Sequence, residues 1–208
     1  MFVTATDKQA ARATARTLRE EAVAAGRRPE DIKIFVGISI IPGRTEREAQ
    51  DKHREYLSYA SPEAGLAHFA ASTGIDFSRY DLDDTIEYGT SNAIQSATEL
   101  AQKKRWTKRN LLDELALGGR YPLITGTPSA IAEELESWID EGEIDGFNLA
   151  RTVAPECFED FVDLIVPVLQ ERGRYKTAYG RSSLRNRLFG GGDRLPDNHP
   201  GGRFRRPA

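Results

Sequence analysis

At 208 residues the chain is long enough for one domain with a real core, and its 39% hydrophobic and 29% charged residues mark a globular rather than a disordered sequence. A net charge of −3 and a pI near 5.7 give no global attraction to nucleic acid or to an anionic membrane surface, and no apolar run approaches the ~20 residues that span a bilayer. The single cysteine, Cys157, excludes an internal disulfide and a thiolate metal site, and with no secretory-type apolar stretch in MFVTATDKQAARATART the expected setting is the reducing cytoplasm.

In chain order, residues 1–5 read as a strand. Thr6 and Gln9 form a capping box for an Ala-rich helix over 7–25, with Leu18, Ala22 and Ala25 on its apolar side and Gly26 and Pro29 closing it. Residues 32–41 (IKIFVGISII) are the most hydrophobic run, a strand expected to be buried on both faces as in parallel sheets. Pro42 and Gly43 stop it. Thr45 and Glu48 make a second capping box, opening a charged helix to about residue 59.

From 61 to 121 the periodicity weakens into short segments (PEAGLAHFAASTG, DFSRYDLDD, SNAIQSATELAQKKRW, TKRNLLDELALGG). Roughly sixty residues far exceed the two to six of an ordinary αβ connection, so this reads as an insertion with a lid or binding role. Residues 123–151 then state a helix-to-strand unit. Thr127 caps, Pro128 stands at the first helical position, and Ile131, Leu135, Trp138 and Ile139 form one apolar stripe. Gly142 is expected to end that helix before a strand over 144–150, into which Asp145 and Asn148 are set.

A last helix over 156–172 places Phe158, Phe161, Val162, Ile165 and Leu169 on one side, with a kink expected at Pro167. Beyond 181, seven Arg against two Asp give a +5 tail rich in Gly and Pro, where the fold is expected to have ended. The domains are therefore 1–180 and a basic tail, 181–208. The order β, α, β, α, insertion, α, β, α belongs to right-handed βαβ units of an α/β fold, and three strands do not close a barrel of eight.

The runs IKIFVGISIIPGRTEREAQDK, GLAHFAASTGIDFSRYDLDD, LITGTPSAIAEELESWIDEGEIDGFNLAR, CFEDFVDLIVPVLQERG and LRNRLFGGGDRLPDNH resemble the C-terminal half of bacterial-luciferase-like flavin monooxygenases. The group is that of the nitrilotriacetate, dibenzothiophene-sulfone and long-chain alkane enzymes. The resemblance implies the C-terminal portion of a TIM (β/α)8 barrel, about strands six to eight. It also implies a two-component monooxygenase that takes reduced FMN from a flavin reductase and inserts one oxygen atom of O₂ into a small organic substrate. The family's N-terminal half, with most flavin contacts, has no counterpart here. A C-terminal fragment is the expectation, one that does not hold FMN alone and docks with an N-terminal half-barrel chain or forms a homo-oligomer. The rival is a non-catalytic half-barrel module driven by exposed flanks at Phe2-Val3 and residues 34–41.

His68 matches a histidine that faces the active site in this family, where an imidazole can donate a hydrogen bond or exchange a proton near neutral pH; otherwise it is structural. Phe69 beside it would wall the substrate pocket. Asn148, a polar residue in a barrel strand, is either a pocket residue or satisfied inside the core. Other signals are weaker. His53 lies in a charged helix, Asp197, Asn198 and His199 lack the rigid frame of a metal site, and Asp81, Asp83 and Asp84 lack calcium-loop spacing. Gly126-Thr127-Pro128 reads as a cap before a phosphate site, Trp106 among Lys103, Lys104, Arg105, Lys108 and Arg109 reads as a solvated face, and Cys157 as packing.

Overall fold

The computed structural model describes residues 1–86, 106–117, 121–196 and 199–204. At its centre is β2 (Phe35–Pro42), whose run of aliphatic residues leaves it buried from Val36 to Pro42. Parallel strands pair with it on both sides. β1 (Phe2–Val3) pairs with Phe35 and Val36, β3 (Leu123–Gly126) with residues 39–42, and β4 (Gly146–Ala150) with residues 35–39. Phe35 is shared by β1 and β4, and Ser39 by β3 and β4. Hence β1 and β3 follow one another along one edge of β2, and β4 takes the other.

The three anticipated strands lie in the order β1-β2-β4. The fourth, β3, was not anticipated: its four residues run into the Thr127-Pro128 cap and read as the lead-in to the helix. The flank expected to be exposed at residues 34–41 is instead the covered centre of the sheet, and only Phe2, 75% exposed, stands open at its edge.

One face of the sheet is covered by two helices. α1 (Lys8–Ala24) lies against α5 (Pro128–Gly142) through Ala11 and Ala15, small residues that allow close approach; a Cβ on Gly142 would stand 3.4 Å from that of Ala11. Val36, Ile38 and Ile40 pack beneath with Ile131, Leu135 and Trp138, each large aliphatic burial contributing about 1.5–3 kcal/mol. Local signals here were partly misread. The cap of α1 is Asp7, whose side chain accepts from Ala10 N at 2.8 Å, because Thr6 spends its hydroxyl on Asp7; the Thr6/Gln9 box does not form. Ala25 is exposed just past the helix end. Gly142 stays inside α5, and Glu143 takes the left-handed position (φ 53°), held there by Arg12 and Arg16 on its carboxylate and Arg19 on its carbonyl.

α2 (Glu46–Ser58) is capped by Thr45 as expected, with Glu48 reaching back one residue further, to Arg44 N at 2.9 Å. Two helices of the following segment, α3 (Pro62–Thr73) and α4 (Lys108–Leu115), share a small core of Leu66, Phe69, Phe77, Ile86, Leu111 and Leu115. SNAIQSATELAQKKR, residues 91–105, lies outside the described residues.

The last helix is not one helix. α6 (Glu156–Asp160) passes through a wide π turn, Phe161–Ile165, into α7 (Val166–Glu171). Pro167 has no N–H to give Asp163 and its ring crowds that carbonyl, so the strain expected as a kink is taken up by the wider turn just before it. The extra residue breaks the apolar stripe: Ile165 and Leu169 are buried, Phe161 packs against the core, and Phe158 and Val162 are exposed. The tail keeps structure beyond 181, with α8 (Leu184–Phe189) capped by Ser183 and its arginines turned onto the backbone carbonyls of Gly180, Ser182 and Arg194. Among the described residues no helix is long and apolar enough to cross a membrane.

Candidate active site

Side chains alternate along β2 and β4, so the face away from α1 and α5 carries Phe35, Gly37, Ser39 and Ile41, paired with Gly146, Asn148 and Ala150. Barrel interiors are ordinarily filled by bulky Val, Ile and Leu. Here, between Phe35 and Ile41, the residues are small or polar, and the rings of Tyr121 and Phe35 lie over the two glycines. The Tyr121 ring stands 2.2 Å from where a Gly37 Cβ would be, and the Phe35 ring 3.1 Å from a Gly146 Cβ. Above the rings, at the C-terminal ends of β2 and β4, a cleft of about 670 Å³ opens.

The opposite wall is α3. Ser61 caps it by accepting from Ala64 N, and Gly65, His68 and Phe69 follow at helical spacing along the cleft. Gly65 is required for this placement, because a Cβ there would stand 2.5 Å from the Leu115 carbonyl oxygen of α4. Phe69 is buried with its ring 6.0 Å from Phe77, and His68 projects exposed. His68, Phe69 and Asn148, singled out separately in sequence, thus line one cleft. Asn148 is exposed there and its amide hydrogen-bonds none of the described residues, which removes the alternative of a satisfied core asparagine.

Ser39, Tyr121, Arg151, Thr152 and Phe158 join the same cleft and were missed. Ser39 is 5% exposed with its hydroxyl unpartnered, and the Thr152 hydroxyl is buried and unpartnered. A buried hydroxyl without a partner is uncommon and marks a place where a ligand atom or water completes the bonding. The available signal was a serine interrupting the most apolar run of the chain, and polar residues directly after a barrel strand. The stretch from Arg151 to Phe158 is held from behind by Lys52 of α2, which meets Glu156 at 3.0 Å and Asp160 at 2.7 Å. Those carboxylates keep the Lys52 ammonium charged against burial, and burial with Glu156 beside it raises the Tyr56 phenol well above its usual range.

The weaker sequence signals resolve into structure. Thr127 caps Ala130 N, and the Glu46 carboxylate would stand 3.6 Å from a Gly126 Cβ, which opposes a phosphate at this helix terminus. Lys108 donates to the Tyr80 carbonyl and Arg109 pairs with Asp83, so neither is free for nucleic acid; Lys103, Lys104 and Arg105 lie outside the described residues. Asp76 and Asp84 accept from backbone N–H groups in their own turns. His199 accepts from Gly201 N, while Asp197 and Asn198 lie outside the described residues; His53 is half-buried on α2, and Cys157 is a buried free thiol.

The profile of luciferase-like monooxygenases matches residues 1–143. The chain belongs to that family. It is 40% identical over 99% of its length to a dimethyl-sulfide monooxygenase of Hyphomicrobium sulfonivorans, covering 44% of that protein, and 32% identical over 78% of its length to component A of the nitrilotriacetate monooxygenase of Aminobacter aminovorans, covering 38%. The structure of a riboflavin lyase with modified FMN and riboflavin superposes with a TM-score of 0.88 at 30% identity, over 99% of this chain and 46% of that one. The chain thus spans less than half the length of these family members, and its four strands form part of a TIM barrel.

A flavin is the group such a family implies. Its ring edge carries carbonyl oxygens and nitrogens that need polar partners, and the unpartnered Ser39 and Thr152 hydroxyls and the Asn148 amide fit that need.

Proposed function

We propose that this chain supplies the substrate-side wall of a two-component monooxygenase that uses reduced FMN and O₂ to place one oxygen atom on a small organic substrate. The observation that carries this reading is the meeting of His68, Phe69 and Asn148 on one cleft at the C-terminal ends of the strands, the end of a barrel at which active sites are built. His68 acts as proton donor or acceptor, Phe69 packs the substrate, and Asn148 orients substrate or flavin. The relative named as a "component A" supports a separate flavin reductase as partner. Four strands among the described residues, against the eight of a closed barrel, support completion of the barrel by strands from outside this segment, such as an N-terminal half-barrel or a second copy.

Two measurements test the reading. Titration of the purified chain with FMN is expected to show no tight stoichiometric binding; finding it would overturn the need for a complementing chain. With a family N-terminal half-barrel chain, a flavin reductase and NADH, substrate-dependent O₂ uptake is expected. His68→Ala should lower it by about 10²-fold or more, the typical worth of a positioned proton-transfer group. Complex formation without any O₂ uptake across candidate substrates would favour the non-catalytic half-barrel module instead.

A further inference from the structure

The cleft has an uneven charge. Among the described residues that line it there is one guanidinium, Arg151, one imidazole, His68, and no Asp or Glu. Arg151 follows the last residue of β4, is exposed to the cleft, and makes no ion pair or hydrogen bond with any described residue. The carboxylates nearest along the chain are already engaged. Asp145 is shared by Arg19, Lys33 and the Ile34 N–H, and Glu156 is held by Lys52. Arg151, without a partner among the described residues, shares the cleft wall with the adjacent Thr152, whose hydroxyl is buried and unpartnered, and this makes a corner suited to oxygen atoms bearing negative charge, since a guanidinium fork matches a carboxylate or sulfonate bidentately. Across the same cleft Phe69, Leu115 and Phe158 supply an apolar part of the lining, beside the uncharged polar groups of Ser61, Tyr121 and Asn148.

We propose that Arg151 is a specificity residue of this cleft, pairing with the carboxylate or sulfonate of an organic anion whose apolar part packs on Phe69, Leu115 and Phe158. The proposal rests on the cleft being the substrate side of the enzyme, and it narrows the substrate class to amphiphilic organic anions.

The test is binding, which needs neither flavin nor turnover. The 208-residue chain, isotope-labelled, is titrated with octanoate, with octan-1-ol, and separately with FMN and riboflavin, following backbone amide shifts. Octanoate is expected to shift Ala150 to Thr152 together with Phe69 and Leu115, and to bind at least tenfold more tightly than octan-1-ol. Arg151→Met should bring the two within about twofold, while Arg151→Lys, a point charge without the fork, keeps only part of the preference; both substitutions lie on the surface, and an unchanged spectrum elsewhere verifies folding. Equal affinity for octanoate and octan-1-ol, binding of neither, or a preference that survives Arg151→Met overturns the proposal. A preference for FMN over riboflavin that vanishes in Arg151→Met, with none for octanoate, also overturns it, because the anion would then be the cofactor's phosphate. Octanoate preference without O₂ uptake in the complemented enzyme would leave this inference standing and sink the monooxygenase reading. Oxidation of neutral substrates alone would do the reverse.

Discussion

On its helix side the β2–β4 pair presents Val36, Ile38, Phe147 and Leu149 to α1 and α5; on the other side, one residue away along the same strands, it presents Gly37, Ser39, Asn148 and Ala150. The first face is packed by large apolar side chains, and ion pairs among Lys8, Arg12, Arg16, Glu134 and Glu143 close its rim. The second keeps small residues, and its polar groups Ser39 and Asn148 have no partner among the described residues. Backbone pairing is the same for both. The difference therefore lies in side-chain alternation alone: one face supplies burial energy, and the other gives it up to keep a cleft.

The largest test of this division substitutes one residue from each face. Ile38→Ala removes a fully buried side chain from the sealed face and should cost about 2–5 kcal/mol, the transfer term plus the cavity left behind. Asn148→Ala, on the neighbouring strand but facing the cleft, should change stability by no more than about 0.5 kcal/mol. Urea unfolding of the two variants is the measurement. Equal losses would break the comparison and make Asn148 part of the packing.

A smaller effect is expected where a ring meets the open face. A methyl group at Gly37 would stand 2.2 Å from the Tyr121 ring, so Gly37→Ala must displace that ring, at about 1–3 kcal/mol for overpacking. If the ring is the obstacle, the double variant Gly37→Ala/Tyr121→Ala will lose less than the sum of the two singles. Strict additivity in unfolding midpoints would place the cost elsewhere, on the strand itself.

The sealed face was largely legible in the sequence, because it is written in repeated apolar residues: the run at 32–41, the stripe at Ile131, Leu135 and Trp138, and the Thr127 and Thr45 caps each have one physical explanation. The open face was not. Gly37, Ser39 and Ala150 have no pattern of their own, and their meaning depends on which strand lies beside them. Likewise β3 is too short for a period-2 signal, and a glycine is the natural reading for the helix-ending position, so Gly142 is expected there until the three arginines of α1 are placed around Glu143. His68 and Phe69 were found through resemblance. Their meeting with Asn148 is a tertiary fact, since α3 ends at residue 73 and β4 begins at residue 146.

The smallest expected effect sharpens the comparison at the rim of the sealed face. Hydrogen bonds from Arg16 and then Arg12 hold the Glu143 carboxyl down to about 2, against an ordinary value of 4.5. A carboxyl whose folded value lies below its unfolded one binds protons more readily in the unfolded chain. Its contribution is then complete above about 4.5 and disappears as pH falls toward about 2. Glu143→Gln keeps the shape and removes the charge. The stability gap between wild type and Glu143→Gln should therefore be present at neutral pH, close across that acid window, and shrink in 1 M salt, where ~3 Å screening reaches exposed pairs. A gap that persisted at the bottom of the window would mean that Glu143 acts through its left-handed backbone rather than its charge, so that the rim would belong to the packing of α1 on α5 and not to its ion pairs.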